Sequence, residues 1–154
     1  MTYLAGDDQP RAHSTCIFCH KLDAPDEAEH VVHRGCQVYV TLNKFPYNNG
    51  HLLVVPAQHV PSPEELDAET LTELMLLANR SLAALRAIYH PDGFNMGMNL
   101  GLAAGAGVAE HVHLHIVPRW NGDTSFMPVV GETRVLPETL DQTYARVRQA
   151  FEAM

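Results

Sequence analysis

Three histidines at alternate positions, His111, His113 and His115, carry the densest chemistry in the sequence. Val112, Leu114 and Ile116-Val117 alternate with and follow them, leading into Pro118-Arg119-Trp120. In an extended strand alternate side chains share a face. The spacing therefore predicts a strand with three imidazoles on one face and Val112, Leu114 and Ile116 on the other, the first for chemistry and the second for packing. Neutral imidazoles can act near pH 7 as nucleophiles, proton carriers or metal ligands. Three of them in register are costly to hold on a sheet without a use for them. Cys16-Ile17-Phe18-Cys19 is a second cluster. Two cysteines at that spacing can hold two corners of a tetrahedral zinc from one tight turn, and they equally suit a redox pair. A zinc site requires two further ligands from elsewhere in the chain.

The elements that must position these groups follow from pattern. His30–His33 and Gln37–Leu42 read as short strands on β-branched and aromatic content, joined by a turn at Arg34-Gly35. Residues 43–50 form a loop by their Asn, Pro and Gly content. His51–Pro56 is a continuously apolar strand, expected to be central and covered on both faces. Ser62-Pro63-Glu64-Glu65 has capping-box spacing. A long helix is predicted over Ala68–Tyr89, with Leu71, Leu74, Met75, Ala78, Leu82, Leu85 and Ile88 as its packing stripe and His90-Pro91-Asp92-Gly93 as its stop. Phe94–Leu100 reads as a further strand and Gly101–Gly107 as a small-residue loop whose amides can approach an anion. Residues 125–135 suggest irregular strand. Pro137–Phe151 reads as a final helix with Pro137 at its first position. This order predicts an α+β domain, helices packed on one side of a mostly antiparallel sheet. Residues 1–15 are expected to be a flexible N-terminal arm and 16–154 a single domain.

The totals bound the function. A chain of 154 residues, 46% hydrophobic and 18% charged, can bury a core without disulfide staples. A formal net charge of -8 argues against duplex nucleic acid or an anionic membrane as partner, and it leaves room for a small phosphate-bearing ligand. Three cysteines, Cys16, Cys19 and Cys36, fit a reducing compartment better than a disulfide framework. Cytoplasmic location is the expectation. Cys36 is expected to be a small buried hydrophobe. Trp120 suits core packing or base stacking. His13, His20 and His90 are expected at the surface, as are Lys44 and Arg119.

The run His111-Val112-His113-Leu114-His115-Ile116-Val117 resembles the H-φ-H-φ-H-φ-φ signature of the histidine triad (HIT) superfamily, where φ is apolar. Gly50-His51-Leu52-Leu53-Val54-Val55-Pro56 with His59 looks like its second signature. Cys16 and Cys19 stand near the start as in its zinc-bearing members, and Asn99-Leu100-Gly101 and Pro118-Arg119 also fit. The ending after Trp120 resembles the bacterial branch related to diadenosine tetraphosphate phosphorylases. The resemblance implies an antiparallel half-barrel sheet with one long central helix and a C-terminal helix, assembled as a homodimer. It implies cleavage of a purine nucleotide or dinucleoside polyphosphate at the α-phosphorus. By the same resemblance His113 matches the nucleophile, His115 the phosphate-contacting partner and His51 the flanking histidine. Asn43 matches the ribose-binding polar residue and Asn99 an active-site asparagine, with Gly105 and Gly107 offering amides to phosphate. Cys16, Cys19, His59 and His111 match the four ligands of a structural Zn²⁺.

One departure bears on the reaction. Many hydrolase branches place a Gln and a Ser or Thr just before the first histidine, where this chain has Ala106-Gly107-Val108-Ala109-Glu110. This puts simple hydrolysis in doubt and makes transfer to another acceptor such as inorganic phosphate more attractive. The phosphorylases of the family carry a Ser in this loop that this chain also lacks, so the acceptor stays open. A phosphoramidase and a nucleotide-binding regulator with vestigial activity are the alternatives. A catalytic zinc held by the three histidines is disfavoured, because alternate residues on a strand lie about 7 Å apart.

Overall fold

The apolar run Leu52–Pro56 forms β3, buried at all five positions, in the middle of a five-stranded sheet. The computed structural model describes residues 15–125, 130–132 and 136–154. Around β3 stand β1 (Val31–Arg34), β2 (Val38–Leu42), β4 (Gly93–Gly97) and β5 (Leu114–Arg119). The order is β1-β2-β3-β5-β4, and every pairing is antiparallel. The helices are α1 (Ile17–Asp23), α2 (Asp26–Glu29), α3 (Ala68–Tyr89) and α4 (Leu140–Glu152).

α3 takes the bounds its periodicity predicts. Asp67 caps it, its carboxylate accepting from the Thr70 amide, and His90 ends it in the left-handed conformation with its N–H on Arg86 O. Its buried face is rotated from the expected stripe. Leu74, Ala78 and Leu85 are buried with Thr70, Leu77, Ser81 and Ala84, while Leu71 and Met75 are exposed. The small and hydroxylic residues that sit at the sheet contact carry little apolar signal in a sequence. α4 begins at Leu140 rather than Pro137, because Thr139 and Gln142 form the reciprocal capping box there. Its Tyr144, Val147 and Phe151 join the main core with α3 and the sheet. Ser62 caps only a short 3₁₀ turn, Pro63–Glu65. β4 ends at Gly97, short of Leu100. Residues 126–129 and 133–135 of the expected irregular strand, and residues 1–14 with His13, lie outside the described residues.

The helices do not all lie on one side. α3 and α4 cover one face over the main core. α1 lies on the other, where Cys16, Phe18 and Cys19 pack with Val31, Tyr39, Leu53 and Val55. Alternation along β2 and β3 supplies both faces: Val38, Val40, Leu42, Leu52 and Val54 to the first, Tyr39, Leu53 and Val55 to the second. Tyr39 ties α1 down, its hydroxyl donating to Phe18 O at 2.8 Å. Cys36 is exposed rather than buried, since it sits in the β1–β2 turn whose amides are held by the Glu73 carboxylate. Among the described residues no helix is long and apolar enough to cross a membrane.

Candidate active site

The histidine row runs from the segment before β5 into the strand itself. β5 begins at Leu114, so His111 and His113 precede it. The Val112 amide nevertheless pairs with Val60 O at 2.7 Å, keeping the segment extended beside the chain. The predicted alternation holds. Val112, Leu114 and Ile116 enter the main core. The His113 and His115 rings are neighbours at 4.8 Å, and Phe18 touches both His111 and His113 at 5.4 and 4.6 Å.

Hydrogen-bond partners assign each ring's tautomer. His113 Nδ1 lies 2.8 Å from His111 O. A carbonyl only accepts, so Nδ1 carries the proton and Nε2 keeps its lone pair. His111 Nε2 lies 2.8 Å from Pro56 O, which leaves the ring's lone pair on Nδ1, 3.3 Å from Cys16 Sγ. The Tyr47 amide donates to His51 Nδ1 at 3.0 Å. His51 Nε2 therefore carries the proton, and it donates to His115 Nδ1 at 2.9 Å. His115 Nε2 must then bear a proton. Among the described residues it is the buried side-chain nitrogen left without a hydrogen-bond partner. A lone pair on His113 and an unpaired N–H on His115 thus stand on adjacent rings.

Burial holds these rings neutral. It pushes His51 down to about 3, with His115 and His113 adding to the effect. It pushes His115 down to about 4, aided by His113. His113 is lowered by burial as well, against its hydrogen bond to His111.

Asn43 belongs to the same cluster. Its Oδ1 accepts from the Phe45 amide, which turns Nδ2 toward the His51 ring at 3.3 Å. A cavity of about 200 Å³ adjoins both residues, walled in part by Leu42, Pro46 and Leu140. Asn99 is half-buried just past the Gly97–His115 pair of the β4–β5 ladder. Gly105 is left-handed, with φ +84°, and its amide donates to Leu102 O, so that amide is engaged within the turn rather than presented to an anion. Gly107 is exposed with open space where a Cβ would stand.

Cys16, Cys19, His59 and His111 also come together. Their ligand atoms all lie within 4.8 Å of one another. Cys16 Sγ is 3.3 Å from His111 Nδ1, and Cys19 Sγ is 3.3 Å from His59 Nδ1. The S–N edge of a tetrahedral zinc site is about 3.5 Å, from bond lengths near 2.3 and 2.0 Å. The donor set and spacing fit such an ion. The cysteines do not sit on a bare turn: Cys16 is the N-cap of α1 and Cys19 lies in its first turn. Two groups escaped the sequence reading. Phe18, between the cysteines, buttresses the nucleophile candidate. Tyr47 holds His51. Both lie inside stretches already singled out, and neither has a residue type that signals such a role.

The remaining expectations divide. His20, His90 and Lys44 are exposed. Arg119 is half-exposed and forked onto Asp123, with Nη1 on Asn95 Oδ1. Trp120 packs edge-on against Tyr89. His30 bonds Asp141, and His33 lies beside Arg80 and Phe151.

Comparison with known proteins gives the family. The HIT domain family model matches residues 25–122. A protein of Mycobacterium tuberculosis (strain CDC 1551 / Oshkosh) named AP-4-A phosphorylase is 44% identical over 118 residues, which is 77% of this chain and 60% of that protein. The chain therefore spans less than two thirds of that relative's length. A Zn-bound histidine triad family protein from Mycobacterium smegmatis superposes with a TM-score of 0.73 at 30% identity, covering 92% of this chain and 96% of the other. A hypothetical histidine triad nucleotide-binding protein from Sulfolobus tokodaii superposes with a TM-score of 0.73 at 28% identity, covering 90% and 93%. With its triad, its sheet and these likenesses in agreement, the chain belongs to the histidine triad (HIT) family.

Proposed function

We propose that this protein transfers AMP from a dinucleoside polyphosphate, such as diadenosine tetraphosphate, to inorganic phosphate. The observation that carries the reading is the pair of complementary nitrogens, the His113 Nε2 lone pair and the His115 Nε2–H. His113 Nε2 attacks the α-phosphorus, and the bond from that phosphorus to the bridging oxygen breaks. His115 donates its N–H to the departing oxygen as charge develops there. A nucleotidyl-His113 intermediate remains. Phosphate then attacks the same phosphorus, forming ADP and freeing the imidazole. His51 keeps His115 oriented as donor. Asn43 binds the ribose, and Asn99 and the Gly107 amide contact phosphate, while Gly105 supplies the turn that presents them. The 44% identical relative named AP-4-A phosphorylase supports phosphate over water as acceptor. The lack of the hydrolase-branch Gln in Ala106–Glu110 agrees with it, and the lack of a Ser there does not.

Cys16, Cys19, His59 and His111 bind zinc. Four protein ligands leave no open position, so the ion supplies structure and no water activation. Residues 16–154 act as one domain, a reading supported by α4 packing into the same core as α3. The free cysteines support a reducing, cytoplasmic setting. The protein is a homodimer. β4 is an edge strand with Met96 exposed, and α3 exposes Leu71, Met75 and Leu76. Sedimentation equilibrium is expected to give twice the 17.0 kDa chain mass, and a monomer mass rejects this.

Incubation with diadenosine tetraphosphate, with and without phosphate, tests the reaction. ADP plus ATP formed only with phosphate is the expected result. AMP plus ATP without phosphate means hydrolysis and refutes the acceptor. A trapped nucleotide on any residue other than His113 refutes the mechanism. His113→Asn is expected to lower turnover on the order of a thousandfold or more.

A further inference from the structure

We propose that Tyr47 is the positioning residue of the His51–His115 pair, its amide selecting the His51 tautomer and its ring covering the bond between the two imidazoles. The proposal rests on the reading of His115 as hydrogen-bond donor to the leaving group. The Tyr47 N–H is 3.0 Å from His51 Nδ1. The Tyr47 ring lies 4.7 Å from the His51 ring and 6.1 Å from that of His115, parallel to the latter within 6°. Its neighbour Asn48 anchors the loop, Nδ2 donating to Pro118 O at 3.0 Å and to Asp123 Oδ2 at 2.9 Å. That anchor fixes the peptide to the end of β5, the strand that carries His115.

The consequence is directional. The His51–His115 hydrogen bond can run either way in a free imidazole pair. The amide permits one direction, because it can only donate to His51 Nδ1. Tyr47 is half-exposed, and its ring, against His51 and parallel to His115, would keep water from competing for His115 Nδ1. The charged forms facing this pair would be other imidazoles: His51 feels His115 and His113, and His115 feels His113. Water admitted to the pair lets His115 adopt the Nδ1–H tautomer, which turns a lone pair toward the departing oxygen. Tyr47 thus acts through His115 and not on substrate.

Nitrogen NMR of ¹⁵N-histidine-labelled, zinc-loaded protein at pH 7 reads the tautomers directly, beside kcat and KM on diadenosine tetraphosphate. Wild type and Tyr47→Phe are expected to show one His115 tautomer, Nε2–H, with kcat within about twofold of each other. Tyr47→Ala is expected to show both tautomers and a kcat lower by about tenfold or more, as misplaced reacting groups cost, with KM changed by less than about twofold. Tyr47→Leu, which keeps apolar bulk for the fold but lacks the flat ring, is expected to behave likewise. A single tautomer in both the Ala and Leu variants overturns the proposal, as does a loss confined to KM, which would make Tyr47 a substrate contact. A Tyr47→Phe protein as impaired as Tyr47→Ala overturns it too, since the hydroxyl would then be the active group. If wild type turns over no dinucleotide, the proposed reaction fails, while the tautomer measurement still decides the role of Tyr47.

Discussion

His51 is 1% exposed and pushed down to about 3, against about 6.5 for a histidine in an unfolded chain. Below pH 6.5 the unfolded chain takes up a proton at this residue and the folded protein does not. Stability from His51 is thus complete above about pH 6.5 and drains away as the pH falls toward 3. At pH 5 the loss amounts to about 2 kcal/mol. Denaturant unfolding is expected to show a stability that falls with acid, and His51→Gln is expected to flatten that fall between pH 6.5 and 4. Equal slopes in the two proteins would show that His51 is solvated. The histidine types and their alternation were legible in the sequence, as was the split between a packing face and a chemical one. Their protonation was not. The His111 and His51 tautomers are dictated by backbone groups of other segments, Pro56 O and the Tyr47 amide. That of His113 is dictated by the carbonyl two residues before it and that of His115 by the His51 ring, and no side-chain spacing encodes a carbonyl's direction.

Among elements, α1 links the two clusters. It is seven residues long, too short to be stable alone. Its hold comes from Phe18 in the smaller core, from the Tyr39 hydroxyl on Phe18 O, and from Cys16 and Cys19 facing His59 and His111. A metal held by that cluster would tie α1, whose Phe18 packs on His113, to the start of the triad segment. Removing zinc is expected to lower stability by about 4 kcal/mol relative to protein at a free zinc a thousandfold above its dissociation constant. Thermal melts with zinc and with chelator measure this, and Cys16→Ser is expected to abolish the difference. An identical Tm in zinc and chelator would refute the site. The long elements could be read in advance because periodicity and caps agree for Ala68–Tyr89, and the unbroken apolar run of Leu52–Pro56 marks a central strand. α1 could not, since seven residues around two cysteines show no helical period. Gly50 is a similar case. Its φ of +75° and the Leu85 and Tyr89 atoms about 3 Å from where a Cβ would stand show why only glycine fits before His51, but α3 supplies that wall from 35 residues away.

At the scale of the whole molecule, charge opposes the proposed substrate. The chain carries -8, and a dinucleoside tetraphosphate is itself a polyanion. Burial holds the His51, His113 and His115 rings neutral at pH 7, so the candidate site does not offset that repulsion with cationic imidazoles. Arg119, the guanidinium near the end of β5, is already forked onto Asp123, whose carboxyl it holds well below the usual range. Exposed Lys44, next to Asn43, is a single positive charge beside the site. Approach is therefore governed by the net field at long range and by hydrogen bonding once the phosphates are seated. Raising monovalent salt from about 0.01 to 0.1 M shortens the screening length from about 30 to about 10 Å. Such screening weakens the long-range repulsion and leaves the buried contacts nearly untouched. The second-order rate kcat/KM on diadenosine tetraphosphate is expected to rise across that range, with kcat constant, the reverse of the fall seen when a cationic cleft steers an anion. A steady fall in kcat/KM with salt would mean that a local positive field around Lys44 dominates the net charge. Lys44→Gln would then be expected to remove the salt dependence.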